Sequence, residues 1–284
     1  MSKAHWKTEP AKLLRVNEGF QLRDIDPDST PGFKGSKSDG EKALGQGLDE
    51  LADLQERLFA QSRSGSAEDA VLLVIQGMDT AGKGGIVRHV VGAVDPQGVS
   101  IASFKKPTKQ ELLHDFLWRI EKQLPEHGAL GVFDRSHYED VLIGKVRQLA
   151  PPAEIERRYG AINNFEKRVI ATGTRVVKVM LHISKGEQKW RLQERLERPD
   201  KYWKYNPGDV DERLLWADYQ AAYQTMLERT STDIAPWYVV PANEKWYARL
   251  AVQELLLGVL KDVNPQWPAA DFDIEAEKRR LAAS

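Results

Sequence analysis

The stretch from Val71 to Gly85 limits most strongly what this chain can fold into. Its first five residues, Val71–Ile75, are all apolar and three of them are β-branched, which is typical of a short strand buried on both faces. The segment Gly77-Met-Asp-Thr-Ala-Gly-Lys83 follows directly, with the spacing of a phosphate-binding P-loop. The sequence therefore predicts a strand, a P-loop and a helix in succession.

In such a loop the glycines let backbone N–H groups turn toward phosphate oxygens, and the next helix presents its positive end to the same anion. Gly82, Gly84 and Gly85 are the predicted phosphate-binding glycines. Lys83 adds a full charge that can follow a transferred phosphoryl group. The alternative is a glycine-rich turn without a ligand, but the joint presence of strand, spacing and lysine favours the P-loop.

The loop departs from the common pattern at Gly84, where a Ser or Thr hydroxyl usually binds magnesium. Asp79, inside the loop, can replace that oxygen. A carboxylate that faces phosphates is unfavourable unless a metal lies between them, because like charges repel strongly at contact distance. We therefore predict that Asp79 is a Mg²⁺ ligand; the alternative is a solvated turn residue.

A second acidic residue follows another apolar run, Ala129–Phe133. Asp134 at the end of that predicted strand is placed to hold Mg²⁺ opposite the P-loop. Alternatively, Asp134 caps the next helix, a role that Ser136 can also fill. Arg135 would lie beside the same phosphates, or else form a structural ion pair.

Further apolar runs predict the remaining strands, and helical patterns lie between them, including predicted helices over residues 110–125 and 210–231. One P-loop α/β domain with a five-stranded parallel sheet flanked by helices accommodates this alternation. The predicted strands are residues 71–75, 99–104, 129–133, 175–183 and 235–241. Lys105 and Lys106 follow the second strand, at the sheet edge where open α/β folds bind ligands, so they are candidates for an anionic substrate. A charged surface loop is the alternative.

A basic segment follows the fourth strand. Residues 185–204 contain seven Lys or Arg against four Asp or Glu, in a chain whose net charge is −1. Arg191, Arg195 and Arg198 are spaced to share one helical face, which favours a helical lid over phosphates. A solvated charged helix is the alternative. His182, within the strand, is predicted to be a packed core residue.

We predict an N-terminal arm over residues 1–40, a P-loop phosphotransferase domain over 41–264 with a lid at about 185–208, and a polar tail over 265–284. The chain has no cysteine, which excludes disulfides and thiolate metal sites and suits the cytoplasm. It has no apolar leader and no apolar run of membrane-spanning length, so we expect no membrane contact. The near-zero net charge also argues against a general nucleic-acid coat protein.

Four segments together resemble the polyphosphate kinase type 2 family over roughly residues 22–262. They are Gly77-Met-Asp-Thr-Ala-Gly-Lys-Gly-Gly85, Phe133-Asp-Arg-Ser-His-Tyr138, the segment around Arg195, and residues 231–247. The resemblance implies a thymidylate kinase-like fold and phosphoryl transfer between inorganic polyphosphate and the nucleotides AMP, ADP and ATP. It also implies that Asp79 and Asp134 hold magnesium, while Lys83, Arg135 and Arg195 contact polyphosphate or the transferred group. Arg198, Lys105 and Lys106 are further candidate polyphosphate-binding residues.

Residues 104–108, 114–119 and 139–142 are most similar to the class that accepts both mono- and diphosphates. We also expect a homo-oligomer, either a dimer or a tetramer. Two alternatives remain: an ATP-dependent nucleotide or small-molecule kinase of the thymidylate kinase type, and a non-catalytic nucleotide- or polyanion-binding module.

Overall fold

The computed structural model describes residues 5–284, so the first four residues of the predicted arm lie outside the described part. Its centre is a five-stranded, all-parallel sheet in the order β2-β3-β1-β4-β5. The strands are β1 (Ala70–Gly77), β2 (Val99–Ser103), β3 (Leu130–Asp134), β4 (Thr174–His182) and β5 (Trp237–Pro241). The predicted α/β class and its five-stranded parallel sheet are confirmed.

Helices cover both faces of the sheet. They are α1 (Pro10–Leu13), α2 (Lys37–Arg63), α3 (Lys83–His89), α4 (Trp118–Glu121), α5 (Ile143–Val146), α6 (Pro152–Ala171), α7 (Lys185–Glu197), α8 (Gly208–Leu214), α9 (Trp216–Thr230), α10 (Lys245–Val263) and α11 (Ile274–Ala282). Short 3₁₀ turns lie at Leu22–Asp24, Val91–Ala93, Pro96–Gly98, Glu111–Leu113, His137–Asp140 and Pro199–Lys204.

Strand β1 is buried along its whole length, as its uninterrupted apolar run predicts. Its alternate side chains enter two hydrophobic cores. Val71, Leu73 and Ile75 pack with α2, α3 and α10 on one face. Leu72 and Val74 pack with α6 and α9 on the other face. Two complete layers of helices therefore fix the strand that carries the P-loop.

Two predicted helices differ from the observed ones. Residues 110–125 form only a 3₁₀ turn and the short helix α4, because His114 is extended and the Asp115 side chain accepts a hydrogen bond from Leu117 N at 3.0 Å. That side-chain contact competes with a continuous helix. The helix predicted over 210–231 is interrupted at Leu215 and forms α8 and α9. Neither change alters the sheet.

The described part of the arm lies against the edge of the sheet. Val16 N donates to Trp237 O at 2.8 Å, and Val239 N donates to Leu14 O at 2.9 Å. This short antiparallel pairing covers the edge of β5, which would otherwise present unpaired backbone groups. At the other end of the chain, α11 has no buried residue. Among the described residues, none of the helices combines the length and hydrophobicity needed to span a membrane.

Candidate active site

The P-loop has the predicted form at the C-terminal end of β1. Gly77 has φ +153°, and a Cβ there would lie 2.8 Å from Leu181 O, so this close approach of β1 and β4 requires glycine. Gly82, at φ +114°, precedes the first residue of α3, and its carbonyl accepts hydrogen bonds from Gly85 N and Ile86 N. The loop therefore leads directly into a helix N-terminus, as anion binding requires.

Parallel pairing places the two candidate acidic residues at the same end of the sheet. Ile75 is opposite Asp134 in the register of β1 and β3, so the P-loop and the turn after β3 begin side by side. Arg135, at φ +65°, turns its guanidinium toward the loop and donates from Nη2 to Asp79 Oδ1 at 2.7 Å. The prediction that Asp79 is a metal ligand takes a metal ion to be its only countercharge. In the structure Arg135 provides that countercharge.

The turn after β3 settles the question of the helix cap. The Ser136 hydroxyl, not Asp134, accepts the capping hydrogen bond from Tyr138 N at 3.2 Å. The Asp134 carboxylate borders the cavity above the sheet. Its side chain has no hydrogen-bond or ion-pair partner within residues 5–284. The charge of Asp134 is therefore available to the cavity.

Lys83 lies inside the P-loop, where its Nζ donates to Gly77 O at 2.7 Å and to Met78 O at 3.2 Å. Burial lowers the pKa of Lys83, while the charge of Asp79 opposes that shift. Desolvation also means that an incoming anion meets a cation with little competing water, which strengthens their attraction.

A cavity of about 950 Å³ opens above these residues. Nine of the predicted site residues line it together: Asp79, Gly82, Lys83, Gly84, Gly85, Lys105, Asp134, Arg135 and Arg195. Lys106 and Arg198 do not belong to its lining. Lys106 is exposed, and Arg198 pairs with Glu194 at 3.2 Å and Asp200 at 2.8 Å on the outer surface. The cavity brings the P-loop, the turn after β3 and the predicted lid together.

Cations dominate the described lining of this cavity. The lining contains ten cationic side chains and only four carboxylates. The cations are Lys83, Arg88, Lys105, Arg135, Arg191, Arg195, Lys201, Lys204, Lys245 and Arg249, and the carboxylates are Asp79, Glu194, Asp134 and Asp209. Burial and the neighbouring Arg249 and Arg88 charges lower the pKa of His89 on the same wall. Such a concentration of one sign of charge in a cleft attracts a polyanion.

Arg88 and the α10 residues Lys245 and Arg249 were missed by the sequence reasoning. Lys245 and Arg249 are four residues apart and share one face at the start of a mostly apolar helix. That spacing could have predicted a basic patch at the start of this helix. Their contribution also depends on the packing of α10 beside α3, which the spacing does not show.

Arg195 is held within the lid segment. Its Nη1 donates to Lys204 O at 2.8 Å and to Asp209 Oδ2 at 3.1 Å. Burial, together with the Asp79 charge, raises the pKa of Asp209 to about 6. Arg195 therefore borders the cavity together with Asp209, whose negative charge is unfavourable in that buried position.

Arg191 differs from the other predicted lid arginines. It borders the cavity, but only 4% of its surface is exposed. Its guanidinium donates hydrogen bonds to backbone carbonyls of two separate segments, at Thr80 and at Ala242. The three arginines that the sequence places together in a lid therefore lie in three different environments. Arg195 faces the cavity, Arg191 is buried beneath it and Arg198 lies outside it.

Asp79 and Asp134 fit a hard divalent cation by donor chemistry. Among the described residues no group of three or more His, Cys, Asp or Glu is arranged to enclose a metal. Magnesium in phosphotransferases is commonly held by one or two carboxylates together with substrate phosphates and water. Two carboxylates beside a phosphate-binding loop suit that mode. They do not form a dedicated metal cage.

A P-loop at the end of the central strand of a parallel sheet, beneath a basic cavity, defines a P-loop kinase fold. The polyphosphate kinase 2 (PPK2) family description matches residues 34–268, and the chain belongs to this family. The predicted family resemblance is confirmed.

Solved and curated relatives agree with that membership. The crystal structure of polyphosphate kinase 2 from Arthrobacter aurescens TC1 superposes with a TM-score of 0.96 at 56% identity, over 99% of each chain. The AMP/ADP-polyphosphate phosphotransferase of Meiothermus ruber is 45% identical, over 88% of this chain and 91% of the relative. The ADP-polyphosphate phosphotransferase of Rhodopseudomonas palustris is 41% identical, over 90% and 92% respectively.

Proposed function

We propose that this protein transfers the terminal phosphoryl group of inorganic polyphosphate to AMP or ADP, giving ADP or ATP, and that the reaction is reversible. The observation that carries the proposal is the excess of cations around a P-loop, because two polyanionic substrates must meet there. The relatives named for polyphosphate and for AMP or ADP support both substrates.

The chemistry demands alignment and charge neutralisation more than proton transfer. An acceptor phosphate oxygen is already ionised at neutral pH, so no general base is required. Lys83 and the backbone N–H groups of the P-loop would orient the transferred group, and Arg135 and Arg195 would neutralise charge on either side of it. Arg135 would then exchange its Asp79 partner for phosphate oxygens.

We further propose that the metal is Mg²⁺ and that Asp79 and Asp134 hold it. When bound, it would neutralise charge on the phosphate oxygens. We also propose that the protein acts as a homo-oligomer, a dimer or a tetramer, in the cytoplasm, on free nucleotides and not on nucleic acid.

Phosphorus NMR tests this function directly. Protein, Mg²⁺, AMP and polyphosphate are mixed without ATP, and we expect resonances of ADP and then ATP to appear as polyphosphate shortens. An ATP-dependent kinase of the thymidylate kinase type would give product only with ATP as donor. A binding module would give none with either donor, and both of those outcomes would refute the proposal.

Arg195→Ala is expected to slow transfer from polyphosphate by about 10²-fold, the scale of losing one contact to transition-state charge. Arg195→Lys should recover only part of the rate, because an ammonium cannot make a two-pronged contact with phosphate. Steady-state kinetics with polyphosphates of several lengths measure both effects.

Lys189→Met is a matched control for the Arg195 variants, since Lys189 is exposed on the same helix and does not line the cavity. Equal rates for Arg195→Ala and the control would exclude a role for Arg195 in transfer.

A further inference from the structure

The backbone carbonyls of the P-loop need hydrogen-bond donors. A loop that directs its N–H groups inward toward an anion directs several carbonyls away from it, and a buried carbonyl without a donor costs free energy. Residues 77–81 contribute five backbone carbonyls to the loop of this protein, and all five accept hydrogen bonds. Where their donors come from determines how firmly the anion-binding conformation is held.

Helix α7 supplies donors for three of the five. Gln188 Nε2 donates to Asp79 O at 3.2 Å. Arg191 Nη1 donates to Thr80 O at 2.9 Å and to Ala81 O at 3.0 Å. Lys83 Nζ serves the remaining two, Gly77 O and Met78 O. Helix α7 therefore binds the carbonyls of residues 79–81, and Lys83 binds the carbonyls of residues 77 and 78.

The same guanidinium reaches a second segment. Arg191 Nη2 donates to Ala242 O at 2.7 Å and to Asn243 O at 3.0 Å, in the loop that follows β5. Its Nε donates to Glu187 at 2.6 Å, which orients the plane of the guanidinium. All three of its nitrogens are therefore engaged, so Arg191 joins the P-loop to the loop after β5 and has no nitrogen left for a substrate phosphate.

The backbone of Thr80 shows why the loop needs this support. Thr80 has φ +66°, a left-handed conformation that is unfavourable for a β-branched residue. Such a conformation persists only where the surroundings determine it. The Thr80 carbonyl is one of the two that Arg191 binds, so the strained residue and its support are in direct contact.

We propose that Arg191, assisted by Gln188, is a positioning residue that holds the P-loop in its anion-binding conformation through the loop's carbonyls. It does not itself bind polyphosphate. The arginines of α7 then have separate tasks: Arg191 shapes the phosphate site from behind, and Arg195 faces the cavity. This proposal rests on the proposed function for its kinetic test but not for its structural one.

The structural test is amide hydrogen exchange of the substrate-free protein. In Arg191→Met we expect amides of residues 77–85 to exchange at least about tenfold faster, because the loop loses its charged donor. Amides of β4 should exchange as in the wild type. Arg191→Lys should restore part of the protection, since an ammonium can still donate to one or two carbonyls, and Gln188→Leu should loosen the loop less. Lys189→Met is the control and should leave exchange unchanged.

The kinetic test separates positioning from phosphate contact. We expect Arg191→Met to lower kcat by about 10²-fold, as small misplacement of reacting groups does. The apparent KM for polyphosphate should still rise with salt as steeply as in the wild type, because Arg191 does not contact polyphosphate and the number of cations that do contact it is unchanged. Arg195→Ala should make that salt dependence shallower.

Unchanged P-loop exchange in Arg191→Met would overturn the proposal, and so would a shallower salt dependence that matches Arg195→Ala. Faster exchange throughout β4 as well would reduce Arg191 to a general contributor to stability. If the wild type fails to use polyphosphate, the proposed function fails, but the exchange experiment still decides the role of Arg191.

Discussion

Replacing Asp134 with asparagine is expected to lower turnover of polyphosphate at least about 10³-fold while leaving the melting temperature unchanged. The substitution keeps the shape of the side chain and removes only its charge. Asp134 borders the cavity beside the P-loop, and Ser136, not Asp134, caps the following turn, so the fold does not depend on its carboxylate. Initial rates at several Mg²⁺ concentrations, together with thermal melting, measure both parts of this prediction.

Asp53→Asn is a suitable control, because Asp53 is a partly exposed residue of α2 that pairs with Arg57 and does not line the cavity. We expect it to retain the wild-type rate. If Asp134→Asn regains a near-normal rate at saturating Mg²⁺, the carboxylate merely raises metal affinity. If it is normal at every concentration, Asp134 has no part in the metal site.

The strands and the P-loop could be predicted from sequence because their signals are local. An uninterrupted apolar run such as Val71–Ile75 requires burial on both faces, and only a central strand of a parallel sheet provides that here. The position of Asp134 beside the loop then follows from the parallel pairing of neighbouring strands. Fold class and the centre of the site are therefore accessible from the residues alone.

The roles of individual cations could not be predicted in the same way. Helical spacing correctly places Arg191 and Arg195 one turn apart, yet their partners come from segments distant in sequence. Arg191 is buried because Ala242 and Asn243 pack over it, some fifty residues along the chain. Arg195 meets Asp209. Tertiary packing decides which side chain reaches a cavity, and the spacing of residues along a helix does not show that packing.

Lys178 is a second case that the sequence conceals. It lies in β4 between Val177 and Val179 and is completely buried. Its Nζ donates to Glu166 Oε2 at 2.6 Å, to the Tyr138 hydroxyl at 2.9 Å and to Thr230 O at 2.7 Å. The Tyr138 hydroxyl donates in turn to Glu166 Oε1 at 2.6 Å. A buried ion pair with all of these bonds connects the turn after Asp134 to α6, β4 and the end of α9.

Breaking this pair is expected to have the largest effect on stability. Lys178→Met should lower the free energy of unfolding by about 3–5 kcal/mol, because Glu166 is left as a buried charge without its partner. Burial already lowers the pKa of Lys178, and the charge and the hydrogen bond of Glu166 oppose that shift, which shows how strongly each group depends on the other. Urea unfolding at neutral pH measures the change.

The double variant Lys178→Met/Glu166→Gln distinguishes loss of a partner from loss of packing. It removes both charges but keeps an amide that can bond to the Tyr138 hydroxyl, so it should be more stable than Lys178→Met alone by at least about 1 kcal/mol. Lys261→Met, which breaks the exposed pair with Glu50, should cost less than about 1 kcal/mol. Additive losses in the double variant would mean that the two residues stabilise the fold independently. Tyr138, which bonds to both residues of the pair, follows Asp134 by only four residues, so the buried pair also supports the turn that carries Asp134.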